Sequence, residues 1–214
     1  MSLKIIHTAD WHLGQTFFGY DRDEEHEAFL SWLIDILTLR QTDVLLIAGD
    51  VFDVANPSAA AQRRFFRFLR EANRRNPQLQ IVIIAGNHDS AARLEAPIPL
   101  LEELNTSIVG AVPRTDLCKI DFDSLLIPLY NKEGKREAIC LAVPYLRQGD
   151  YPASKEGKDT YVEGVTRMYR QLYDYADSQR QPGEALFAMG HLHATGAEPV
   201  SYTHLRAHET SAHL

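Results

Sequence analysis

No stretch of this 214-residue chain is apolar for long enough to cross a membrane. Cysteine is nearly absent. Cys118 and Cys140 are the only two, neither has a partner at metal-ligand spacing, and two thiols make no disulfide framework. Both lie in short apolar runs and are expected as reduced core residues on strands. A positive balance is missing as well: the formal net charge is −7. That argues against a surface that binds nucleic acid everywhere, but it leaves room for a local basic groove or for a site whose charge is supplied by metal ions. The chain runs from Met1-Ser2-Leu3-Lys4 straight into Ile5-Ile6-His7, which leaves no signal-peptide pattern and makes a cytoplasmic location the expectation.

What is present is an alternation of apolar runs and amphipathic segments. "LKIIHTAD" reads as a strand feeding a loop, followed by a helix from Asp23 to about Gln41, with Phe29, Leu30, Leu33, Ile34 and Leu37 at helical spacing. "DVLLIAGD" (43–50) is a continuous apolar run, as for a strand buried on both faces. Pro57 and Ser58 open a helix reaching about Arg75, with Ser58 a fitting N-cap. "QIVIIAGNHD" (80–89) repeats the strand pattern, and a further helix is expected through Leu101 and Leu104. Strands alternating with helices predict an α/β fold with a parallel sheet and crossover helices. Beyond Ser107 the runs "SIVGAV", "LCKIDF", "SLLIPLY" and "AICLAVP" read as short strands that either extend the sheet or form a second one packed on it. A helix from Asp159 to Gln181 and a strand in "EALFAMGH" (184–191) complete the pattern.

Three strands end in similar chemistry: Asp10-Trp11-His12, Gly49-Asp50-Val51-Phe52-Asp53 and Gly86-Asn87-His88-Asp89. In a parallel sheet the C-terminal strand ends share one edge, where ligands bind. A fourth strand brings His191 to a similar position. Carboxylate, imidazole and amide ligands without thiolate suit Mn²⁺, Fe²⁺ or Zn²⁺, and a set this large suits two ions. Each tip alone could be an Asx-turn after a strand; three in order on three apolar strands favour the metal reading.

"DWH", "GDVFD" and "GNHD" resemble the successive signatures of the calcineurin-like metallophosphoesterase superfamily. "IIHTADWHLGQTFFG", "DVLLIAGDVFDVANPS", "VIIAGNHDS" and "VPYLRQGDY" are similar to its DNA nuclease branch, the SbcD-like bacterial subunits, over residues 1–199. The resemblance implies metallophosphoesterase-type layered sheets flanked by helices. It gives Asp10 and His12 to one metal, makes Asp50 the bridge, and gives Asn87 and His191 to the second. His88 becomes the catalytic histidine, with Asp53 orienting it or raising its pKa. It also implies in-line attack on a DNA phosphodiester by an activated water, Mn²⁺ as the usual ion, a homodimer, and an SbcC-like coiled-coil ATPase as partner.

The pattern of that branch contains two late histidine motifs, a Gly-His about a hundred residues after GNHD and a Gly-His-x-His further on. Gly190-His191 matches the first by spacing. His193, which makes the sequence look like the second, then reads as a neighbour rather than a ligand. The second motif and the smaller C-terminal capping domain of the branch do not follow. "SYTHLRAHETSAHL", with His204, His208 and His213, resembles no part of it. The expectation is therefore a partial nuclease domain over 1–199, incomplete at its C-terminal side, and a non-native or disordered tail over 200–214. Each metal would keep three protein ligands. The alternatives are a phosphoesterase acting on small phosphoesters and an inactive fragment.

Several other features admit two readings. Arg63, Arg67, Arg70 and Arg74 fall on one stripe of the second helix, either a line of DNA phosphate contacts or a solvated face. Phe66, Leu100, Leu101 and Leu104 could serve a dimer or the core. Trp11 could wall the pocket or anchor its loop. His7 and His26 are expected as packed or surface residues.

Overall fold

The computed structural model describes residues 3–101, 104–153 and 160–192, apart from the Leu100 side chain. Strand β1 (Ile5–Thr8) is followed by a small hairpin, β2 (Thr16–Phe17) and β3 (Tyr20–Asp21). Then come α1 (Asp23–Leu39), β4 (Val44–Ala48), α2 (Ala59–Arg75) and β5 (Gln80–Ile84). Two short helices, α3 (Ala91–Glu95) and α4 (Ile98–Leu101), lead to β6 (Thr106–Val109). The remainder is β7 (Leu126–Tyr130), β8 (Arg136–Ala142), α5 (Tyr161–Gln179) and β9 (Ala185–Met189).

β1, β4, β5 and β6 form one parallel sheet in that spatial order, with Ile5 opposite Val44, Val44 opposite Gln80 and Ile81 opposite Thr106. β7, β8 and β9 form a second sheet, antiparallel at β7–β8 and parallel at β8–β9. Side chains alternate across a strand, and β4 uses both faces. Leu45 and Ile47 pack with Leu33 and Leu37 of α1 and Phe65 and Leu69 of α2. Val44, Leu46 and Ala48 pack with Leu129, Cys140 and Met168 of the second layer. The result is helices, sheet, sheet, helix, which is why the β4 and β5 sequences are apolar without alternation. The expected α/β architecture of layered sheets flanked by helices is the one observed.

Local chemistry sets the helix ends. The Ser58 hydroxyl accepts from the Ala61 amide at 3.1 Å, as expected of an N-cap. Thr160 and Glu163 form a reciprocal capping box at the start of α5.

Three expectations are corrected. The helix expected through Leu101 and Leu104 is interrupted between α3 and α4, where Pro97 has no amide to donate. "LCKIDF" forms no strand; it makes a turn with one isolated bridge, Arg114 to Ile120. Cys118 sits in that turn at φ 56°, exposed, and is not a core residue, whereas Cys140 is fully buried on β8. Leu117 and Cys118 are adjacent apolar residues that both face water, so the run lacks the alternation a half-buried strand needs. Of the two readings for the apolar residues, core packing holds for those described: Leu101 is buried, and Phe66 and Leu104 pack against the helix-side core. Trp11 is a core anchor, 5% exposed, its ring edge-on to Phe29, Phe65 and Phe68.

Candidate metal centre

The tips of β1 and β4 are zipped together by backbone. The Asp10 amide donates to Gly49 O at 3.1 Å, and those of His12 and Leu13 donate to Asp50 O and Val51 O at 3.0 Å. Asp10, His12 and Asp50 have φ of 56°, 46° and 49°. Non-glycine residues seldom occupy this left-handed region, and three in one small site mark a backbone held by its surroundings.

Glycine is required at two positions for lack of room. A β-carbon on Gly49, itself at φ 87°, would strike the His191 imidazole, and one on Gly86 would strike the Asp50 carboxylate.

Asp50 is 3% exposed. Its Oδ1 accepts the His88 amide proton at 2.9 Å. Its Oδ2 lies 3.7 Å from His12 Nε2 and 3.4 Å from His191 Nε2, between the two rings. Asp10 Oδ1 is 3.9 Å from His12 Nε2, so Asp10, His12 and Asp50 converge on one point. On the other side, His191 Nε2 lies 3.2 Å from Asn87 Oδ1. The opposite ring nitrogen, Nδ1, donates to Ala48 O at 2.9 Å. In the neutral ring that bond leaves Nε2 with a lone pair. Asp50 Oδ2, Asn87 Oδ1 and His191 Nε2 are then three acceptors facing one another. A cation relieves such a cluster, and the donor set fits a hard or borderline divalent ion. The expected ligands Asp10, His12, Asp50 and Asn87 thus follow the C-terminal ends of β1, β4 and β5, and His191, which follows β9 of the second sheet, joins them from the other layer.

His88 stands beside this set, its ring edge-on to His12 with centroids 5.1 Å apart. Its Nδ1–H donates to the backbone carbonyl of Asp53 at 2.7 Å. That carbonyl, with the carboxylates of Asp50, Asp53 and Asp89 nearby, holds its pKa above the usual histidine value against slight burial. The Asp53 carboxylate itself faces His12, with Oδ1 3.2 Å from Nδ1. Asp53 therefore touches both imidazoles, one through its backbone and one through its side chain.

Two residues of the centre carried no assigned role in the sequence. Asp89, 4% exposed, accepts the amide protons of Val51 (3.1 Å), Phe52 (3.0 Å) and Gly86 (2.9 Å), tying the β4 tip to the β5 tip. Burial pushes its carboxyl above the usual carboxylate range, opposed by these bonds. The Asx-turn pattern in "GNHD" hints at such a role but not at its reach across strands. Tyr145, within "VPYLRQ", sets its ring edge-on to His191 at 6.3 Å, and its amide donates to Ala85 O at 2.8 Å. No local pattern singles it out. His193 and the tail histidines lie outside the described residues.

The arginine stripe is largely engaged. Arg67 pairs with Glu27, and Arg70 and Arg74 pair with Glu71, all at the exposed surface.

The calcineurin-like phosphoesterase family profile matches residues 3–207. The chain is 46% identical over 198 residues to SbcD of the nuclease SbcCD from Rhodobacter capsulatus, covering 91% of this chain and 49% of that relative. It is 32% identical to the SbcD proteins of Escherichia coli K12 and Bacillus subtilis 168, covering 91% of this chain and 48% of each. The chain thus spans about half the length of the curated relatives it matches. An edge of carboxylate, amide and imidazole ligands on a layered α/β fold agrees with that match, and the chain belongs to the calcineurin-like phosphoesterase family.

Proposed function

We propose that this chain is the metal-binding part of a DNA nuclease that hydrolyses phosphodiesters with two divalent ions, Mn²⁺ foremost. The observation that carries this reading is the convergence of Asp50 Oδ2, at 3.4 Å, and Asn87 Oδ1, at 3.2 Å, on His191 Nε2. Asp10, His12 and Asp50 would hold one ion; Asp50, Asn87 and His191 would hold the other. Ions there would offset phosphate charge and activate water for in-line attack. His88 is fixed through Nδ1, which leaves Nε2 to carry a proton toward the leaving oxygen. Asp53 is a positioning residue, acting through its carbonyl on His88 and its carboxylate on His12.

Relatives with the matching sequence are named as the SbcD component of the nuclease SbcCD. By that likeness the partner is an SbcC-like coiled-coil ATPase, the protein acts in DNA repair as a homodimer, and its place is the cytoplasm. Residues 1–199 would belong to the nuclease domain, and the call on 200–214 lies outside the described residues. The rival readings, a small-phosphoester hydrolase and an inactive fragment, are separated by one assay. Mn²⁺-dependent release of nucleotides from linear DNA is compared with hydrolysis of bis(p-nitrophenyl) phosphate, for the chain and for His88→Ala. DNA cleavage that His88→Ala abolishes supports the nuclease. Equal nucleotide release by both proteins overturns it.

A further inference from the structure

The hairpin β2–β3 contributes to neither core, yet it carries three aromatic side chains in water. Phe17, Phe18 and Tyr20 are 64%, 87% and 79% exposed. Phe17 and Tyr20 are cross-strand partners, and the Phe17 and Phe18 rings meet edge-on with centroids 4.6 Å apart. The hairpin is rigidly joined to the metal edge. The Gln15 amide donates to the carbonyl of His12 at 3.0 Å, and Arg22 closes the stem on Gln15 through both backbone (3.3 Å) and side chain (2.7 Å). Fully stretched, the chain from His12 to Phe18 spans about 20 Å, so the tip stays within a few nucleotides of the ligands.

The turn itself is chosen against local preference. Phe18 and Gly19 have φ of 49° and 83°, both positive, as in a type I′ turn. Asn-Gly is the favoured pair there; a bulky aromatic at the first position is strained. Strain of this kind is retained where the side chain is needed.

We propose that Phe17, Phe18 and Tyr20 form a stacking platform for unpaired bases of the strand presented to the metal edge. This rests on the nuclease reading for the identity of the strand. Aromatic faces accept any base, which gives affinity without sequence preference.

The test is binding by the full 214-residue chain, measured by fluorescence anisotropy, of an oligo-dT and of an abasic strand of equal length. The two share phosphates and sugars and differ only in bases. The platform gives at least about five-fold tighter binding of oligo-dT per stacked base. Phe18→Asn, which suits the turn better, keeps or raises the melting temperature while shrinking that ratio, and adding Tyr20→Ser brings it to about one. Equal affinity of the unmodified chain for both strands, or a ratio untouched in the double variant, overturns the platform. Mn²⁺-dependent release of nucleotides from linear DNA by the unmodified chain is followed in parallel. Its absence beside an intact base preference counts against the nuclease reading and leaves the platform standing.

Discussion

Asp50 and His88 are joined by a single hydrogen bond, from the His88 amide to Asp50 Oδ1 at 2.9 Å, while Oδ2 of the same carboxylate faces His12 and His191. One side chain therefore fixes the loop that presents His88 and supplies the point both imidazoles share. Asp50→Asn removes the charge between the two halves of the centre. Groups that merely orient metal ligands are worth about 10- to 100-fold in affinity, so Mn²⁺ binding by calorimetry should weaken by at least about 100-fold. Unchanged stoichiometry and affinity would rule out the shared position.

His88→Ala leaves all five proposed ligands in place. Mn²⁺ binding should stay within about two-fold of the unmodified chain, while phosphodiester hydrolysis falls by about 100- to 10,000-fold, the range for a lost general acid. Loss of metal binding in this variant would move His88 from catalysis to ligation.

Asp89→Asn tests the tie between the β4 and β5 tips. An amide offers one acceptor oxygen where the carboxylate offers two, so its NH₂ group faces either the Phe52 amide, in place of Oδ1, or the Val51 and Gly86 amides, in place of Oδ2. Leaving a buried donor unpaired costs about 1–3 kcal/mol. Urea denaturation should show that loss, and amide exchange at Val51 and Phe52 should quicken. An unaltered midpoint would mean that water replaces the lost acceptor.

His26 gives a pH dependence remote from the metal edge. It is 6% exposed, and burial, with the Arg22 and Arg64 charges, holds its pKa below the usual histidine value despite Asp23 and Glu25. As the pH falls below about 6.5, the unfolded chain takes up a proton here that the folded chain resists, so stability drops. The melting temperature of His26→Leu should fall less between about pH 7.5 and 5.5 than that of the unmodified chain. Parallel falls would show that His26 titrates alike in both states.

The sequence made the first sheet and its edge legible because each piece is local. An apolar run closed by Gly-Asp or Gly-Asn is both a strand and its tip, as at Ala48-Gly49-Asp50 and Ala85-Gly86-Asn87. Capping at Ser58 was legible for the same reason. What was not legible depends on partners distant in the chain. Asp89 reaches back to Val51, Tyr145 lies on His191, and Asp53 divides its carbonyl and carboxylate between two imidazoles. "LCKIDF" misled because an apolar run says nothing about whether a sheet edge is available to receive it.

The hydrogen bond from His191 to the Ala48 carbonyl joins positions 143 apart in the chain. On the ribosome, Asp10 and Asp50 emerge long before β9, and until it docks their carboxylates face one another without His191. Long-range pairing of this kind is slow relative to local structure. Under the proposed assignment the ion that needs His191 would be taken up only after β9 docks, so its binding would report that both layers have met.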